Sequence, residues 1–207
     1  NYSNENRRII NEPLNILKKK LIQRGIRGLL YLHREFLQSI SNFSDIRLED
    51  FIHVLELQHF IFNENEYKTI FSQFMIRNES DEFLDFAAFM RYFKAPLNQR
   101  KLEIVQDAFT SLDVNQNESL DIDELKMNFN ADEHPEVLAG LKQEEDLILE
   151  FLDAFEINYC LLGDEQNKEK EEGKVDFEIF ANFYEYVAFI YPNDKQFEDV
   201  VRASWKL

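Results

Sequence analysis

The chain has few residues that let a backbone turn: 5 glycines and 4 prolines among 207. Turns that need positive φ must therefore be scarce or be made by residues that carry a Cβ, and long regular elements are favoured. Cysteine occurs once, at Cys160, which excludes an internal disulfide and fits a reducing, cytoplasmic setting. No apolar run approaches the roughly eighteen residues of a membrane span. The opening NYSNENRR lacks an apolar stretch, so no secretory signal is expected. Cations are short as well. The 23 lysines and arginines face 40 carboxylates, a formal net charge of −17, which argues against nucleic acid as the main partner. There is no glycine-rich phosphate loop, and His33, His53, His59 and His134 form no metalloprotease pair. Neither an enzyme nor a small-molecule substrate is expected, and the histidines read as ordinary polar residues at helix surfaces. Cys160 has no histidine near it in sequence, so a nucleophile role has little support.

What the chain does have is 20 phenylalanines for a core, apolar residues at helical spacing, and one strong motif. Asp113–Glu124 reads DVNQNESLDIDE. Oxygen-bearing residues stand at its first, third, fifth, seventh, ninth and twelfth places: Asp113, Asn115, Asn117, Ser119, Asp121 and Glu124. That is the ligand spacing of an EF-hand calcium loop. A hard cation takes six to eight oxygens; a coiled loop turns alternate side chains inward, Ser119 offers its backbone carbonyl, and Glu124 can offer both oxygens. The sixth place, where glycine is expected, holds Glu118. A non-glycine residue held at positive φ costs about 1–2 kcal/mol.

A single EF-hand leaves its apolar face bare, so further copies are expected. Apolar residues at the eighth and thirteenth places mark three: Ile46 with Phe51 frames Ser39–Asp50, Leu84 with Phe89 frames Arg77–Ala88, and Val175 with Phe180 frames Lys168–Ile179. Helical patterns flank each loop, with Leu29–Ser39, Tyr67–Ile76 and Leu147–Phe155 before and Asp50–Phe60, Ala87–Phe93 and Glu178–Tyr191 after. A polar insertion at 158–171 enlarges the last loop. The fold expected is all-α, four EF-hand helix–loop–helix units in two paired lobes with short loop–loop β-bridges. Its expected parts are an N-terminal pair at 14–93, a C-terminal pair at 99–191, and a helical tail at 192–207, with Pro96 in the connector.

Three loops have lost their ligands. The first has Ser39, Phe43 and Arg47 at its first, fifth and ninth places; the second has Arg77 first and Ala88 last; the fourth keeps Gly173 but has Lys168 first and Ile179 last. These three are expected to be metal-free, leaving the third with little cooperativity and a muted opening. Residues up to about Ile10 read as loose, and Pro13 suits a helix start. Lys18, Lys19, Lys20, Arg24 and Arg27 form the one basic face, read either as solvated or as a docking surface for an acidic partner. In the tail, Phe197, Val200, Val201, Ser204 and Trp205 share one helical face, read as packed core or as the occupant of an EF-hand groove.

The flanking motifs resemble the calcyphosin and calcyphosin-like EF-hand proteins: QRGIRGLL at Gln23–Leu30, the connector KAPLNQR, the step His134–Pro135 with Val137 and Gly140, the run Glu150, Phe151, Leu152, Asp153, Phe155, and the ending PNDKQFEDVVRASWKL. The resemblance covers Leu17 to Leu207. It implies a calcium-binding, non-enzymatic protein whose ion would sit on the third hand, and since such proteins include ciliary components it makes a structural role on the doublet microtubules of the cilium or axoneme plausible, with tubulin or axonemal proteins as partners. The alternative is a soluble calcium sensor or buffer working through Asp113–Glu124, with affinity on the order of 10⁻⁵ M or weaker.

Overall fold

One device starts the second helix of every hand. In each loop the ninth residue is the N-cap and the twelfth stands three places into the helix: Arg47 and Asp50, Asp85 and Ala88, Asp121 and Glu124, Asp176 and Ile179. Where the twelfth residue is acidic it takes the N-cap amide, Arg47 N–H to Asp50 at 3.0 Å and Asp121 N–H to Glu124 at 3.1 Å. Where it is not, the ninth-place aspartate accepts instead, Ala88 N–H to Asp85 at 2.9 Å and Ile179 N–H to Asp176 at 2.8 Å. Either arrangement satisfies an orphan amide of the first turn. The thirteenth residues Phe51, Phe89, Leu125 and Phe180 are buried. The fold is four EF-hand units in two pairs, and the eighth- and thirteenth-place residues read from the sequence are buried in all four.

The computed structural model describes residues 12–40, 45–78, 81–166 and 173–207, and the chain divides into two units, Asn1–Phe93 and Lys94–Leu207. The first unit runs α1 Glu12–Ser39, α2 Leu48–Leu57, α3 Glu64–Ser72, β1 Met75–Asn78, β2 Asp81–Leu84 and α4 Phe86–Arg91. The second runs α5 Gln99–Leu112, β3 Ser119–Asp121, α6 Ile122–Asn128, α7 Pro135–Leu138, α8 Glu144–Gln166, β4 Lys174–Asp176, α9 Phe177–Ile190 and α10 Asp194–Trp205. Residues up to Ile10, expected to be loose, lie outside the described residues, as do 41–44 of the first loop and 167–172 of the fourth.

In the first unit Gly25 (φ 70, ψ −169) breaks α1 into two arms. The break lays Arg24 against Gly28, where a Cβ would come within 2.3 Å of Arg24 Cβ. It also aims the Arg24 guanidinium at the end of α2, where it donates to the Gln58 and His59 carbonyls and lies 3.9 Å over the Phe60 ring. A cation on orphan carbonyls at a helix C-terminus is favourable. Lys20 lies 4.8 Å over Phe62 and Arg27 donates to Tyr31 at 3.2 Å, so much of the basic face packs on the unit's own rings. Phe89 meets Phe36 and Phe51 edge to face, as Phe71 meets Phe51, a geometry aromatic quadrupoles favour; Phe36 and Phe51 are tilted against each other. The two hands meet where Leu84 N–H donates to Ile46 carbonyl at 2.9 Å.

Two expectations need correction here. The helix expected over Tyr67–Ile76 stops at Ser72, and Met75–Asn78 instead pairs antiparallel with Asp81–Leu84, Ile76 opposite Phe83 and Arg77 opposite Glu82. Apolar and β-branched residues at 74–76 fit a pleated edge as well as a helix, and Arg77 ion-pairs with Glu82 across the ladder. The insertion at 158–171 is not a loop as far as it is described: α8 continues to Gln166. Ile157 and Asn158 extend the buried stripe of Leu147, Phe151, Ala154 and Phe155 into the start of that stretch.

In the second unit Leu120 pairs with Val175, Ser119 with Asp176 and Asp121 with Lys174, joining hands three and four. Lys101 on α5 is buried; its ammonium donates to the Pro192 carbonyl at 3.0 Å and stands 3.5 Å from Asp194. That pins the turn into α10, whose Phe197, Val200, Val201, Ser204 and Trp205 are all buried. The expected packed stripe is present. Two histidines depart from the surface positions expected of them: His33 is 2% and His134 3% exposed. His33 packs 5.4 Å from Phe86. His134 caps α7, its Nδ1 accepting the Glu136 N–H at 3.2 Å, and the same turn is tied to α8 by Lys142 between Glu136 (3.0 Å) and Glu150 (2.5 Å).

Candidate metal centre

The loop Asp113–Glu124 starts at the end of α5, crosses β3 and finishes in the first turn of α6. Its coil is drawn by its own side chains. Asp113 accepts the Asn117 N–H at 3.1 Å and the Glu118 N–H at 2.9 Å, Asn115 accepts the Asn117 N–H at 3.1 Å, and Asn117 accepts the Ser119 N–H at 3.0 Å. These Asx turns close because short amide and carboxylate side chains reach a backbone amide two to five residues on. The oxygens are thereby turned into the coil. Gln116 (φ 57) and Glu118 (φ 61) both take the left-handed conformation, so Glu118 adopts the backbone that a glycine would, at the steric cost foreseen. The matching demand on Gln116 was missed by sequence reading, which looked for glycine only at the sixth place.

The ninth and twelfth places are already engaged. Glu124 Oε2 takes the Asp121 N–H, and Asp121 Oδ1 lies 2.9 Å from the ammonium of Lys174. Lys174 is a second residue that sequence reading missed, although the signal was there: pairing Leu120 with Val175 sets Asp121 opposite Lys174. An ammonium on a carboxylate competes for it with any incoming cation. Among the described residues no three of His, Cys, Asp and Glu come together as a metal-holding group. The structure thus fits the ion in the loop's backbone and in the turned-in oxygens of Asp113, Asn115 and Asn117, while the carboxylates of Asp121 and Glu124 are not gathered with Asp113.

The other hands hold no comparable arrangement in their described parts. In the first, Arg47 at the ninth place pairs with Asp45 at 3.3 Å and with Asp81 of the second hand at 3.4 Å, and lies 5.5 Å over Phe83. A guanidinium here links the two hands where paired loops would each hold an ion. Arg47 and Arg77 line one cleft of about 450 Å³ with Lys68, Glu49 and Glu82. In the second hand the hairpin of β1 and β2 takes the place of the loop coil, and Ala88 offers no carboxylate. In the fourth, Lys168 lies outside the described residues, Gly173 takes φ 79, and Ile179 is buried.

The chain is 22% identical over 195 residues, 94% of its length and 91% of the relative's, to crustacean calcium-binding protein 23 from Faxonius limosus. No family model matches it. Among the described residues no helix is long and apolar enough to cross a membrane.

Proposed function

We propose that this chain is a non-enzymatic EF-hand protein that binds one calcium ion on the third hand, through Asp113, Asn115, Asn117, the Ser119 carbonyl, Asp121 and Glu124, and that uses its remaining hands as fixed scaffold. The observation that carries this reading is the coil of the third loop, closed on its own side-chain oxygens with Glu118 held at φ 61. Similarity along most of the chain to a protein named for calcium binding supports it. The ion would supply a common centre for three carboxylates that otherwise repel one another. Calorimetry on the wild type and on Glu124→Gln tests the site: binding in the wild type, weakened at least about tenfold by loss of the bidentate carboxylate, is expected, whereas the same flat titration for both proteins ends the proposal.

Docking on other proteins, with ciliary doublet microtubules as the surface, is the finer part of this reading. Its support is the sequence resemblance and the retention of four hands after three lost their ligands. Cosedimentation of the purified chain with microtubules is expected, and its failure at low salt removes tubulin from the list of partners.

A further inference from the structure

The final helix of the second unit packs on the helix that enters the third hand and holds the chain just beyond the helix that leaves it. α10 packs along α5, the helix that enters the loop, fastened by Lys101 at one end and by Arg100 to Glu198 (2.6 Å) along its length. Its last turn holds the chain that leaves α6: the Asn130 N–H donates to the Ser204 carbonyl at 2.9 Å and its side-chain amide to the Ala203 carbonyl at 3.1 Å. Phe129 is stacked on Phe151 at 3.8 Å and meets Trp205 edge-on at 5.6 Å. Trp205 in turn donates its indole N–H to the buried Tyr184 hydroxyl. One helix therefore fixes where α6 ends relative to where α5 runs.

Glu124 is on the first turn of α6, and in this arrangement it is not gathered with Asp113 and Asp121. A shift of α6 that brings it in breaks its bond to the Asp121 N–H and pulls on Phe129 and Asn130, which follow directly on that helix. An EF-hand that responds to calcium does so by changing the angle between just these two helices. We propose that α10 is a built-in strap on the third hand, so that seating of the strap and capture of calcium at Asp113–Glu124 oppose one another. This rests on the reading of that loop as a calcium site. Linkage makes the opposition reciprocal: whatever loosens the strap tightens calcium, and calcium loosens the strap by the same factor.

Trp205 is the one tryptophan of the chain, so its exposure reports the strap directly. The experiment measures acrylamide quenching of Trp205 and calorimetric calcium binding in the intact chain, in Asn130→Ala and in Tyr184→Phe, with far-ultraviolet circular dichroism confirming that each variant is folded. Expected are a rise in quenching of the wild type on calcium saturation, and calcium binding about 3- to 10-fold tighter in both variants, the factor that one buried hydrogen bond carries. Binding with unmoved quenching and unchanged affinity in the variants overturns the strap while leaving the calcium site standing. Weaker binding in the variants overturns it also, since seating would then assist capture. No binding in any of the three proteins overturns the reading of the loop, and the strap with it.

Discussion

At the scale of the residue, Gly25 and His134 carry more than their neighbours. Gly25 sits at φ 70, ψ −169, a region only glycine occupies without strain. Through it Arg24 reaches the carbonyls at the end of α2. Gly25→Ala is expected to lower stability by about 1–3 kcal/mol in urea denaturation, with Arg24→Ala costing less because the guanidinium is largely exposed. His134 is buried, and burial lowers its pKa to about 4. Its Nδ1 accepts a hydrogen bond, which a protonated ring could not do. The folded state thus prefers neutral imidazole while the unfolded chain takes up a proton near pH 6.5. Stability from this group is full above pH 6.5 and is lost as pH falls toward 4, to the order of 3 kcal/mol. His134→Asn, which keeps a capping acceptor, is expected to flatten thermal stability across that window.

At the scale of the element, the third hand is a contest for Asp121. Lys174 stands opposite it on β4 at 2.9 Å, half exposed. Exposed pairs are worth about 0.2–1 kcal/mol, so Lys174→Ala is expected to tighten calcium by about 1.5- to 5-fold in a calorimetric titration. Elements were legible in the sequence where a spacing rule held. The eighth and thirteenth places located Ile46, Leu84, Leu120 and Val175 at loop contacts and Phe51, Phe89, Leu125 and Phe180 in the core. What failed was periodicity over short apolar runs: Met75 and Ile76 fit a helical face, yet the cross-strand partners Phe83 and Leu84 claimed them for a strand. In α8 the reverse occurred: the insertion expected at 158–171 was read as loop, yet the helix runs on to Gln166. The candidate ligands of the third hand could be named from sequence because each is local to one loop. Lys174 was overlooked, because its effect passes through strand pairing between residues 53 apart, and only the register of Leu120 on Val175 carries it.

At the scale of the whole molecule, the proposed calcium site belongs to one unit only. At a hundredfold excess of calcium over its dissociation constant, binding adds about 2.7 kcal/mol to the folded state. Hydrogen exchange is expected to show this gain within Lys94–Leu207 and none within Asn1–Phe93, and chelator is expected to abolish it. The first unit already has its own cross-link between hands, from Arg47 to Asp81. The acidic excess of the chain points the same way: with a net charge of −17, added salt is expected to stabilise both units through screening, which a magnesium or potassium control separates from the calcium effect.

The hairpin of β1 and β2 makes the loss of the second hand hard to reverse. Arg77→Asp and Ala88→Glu would supply first- and twelfth-place carboxylates, but residues 75–78 are paired on Asp81–Leu84, with Phe83, the seventh place, inside the ladder and Glu82 directly opposite position 77. A vanished binding loop has become a piece of secondary structure, and a path back through single substitutions crosses a barrier of folding rather than of chemistry.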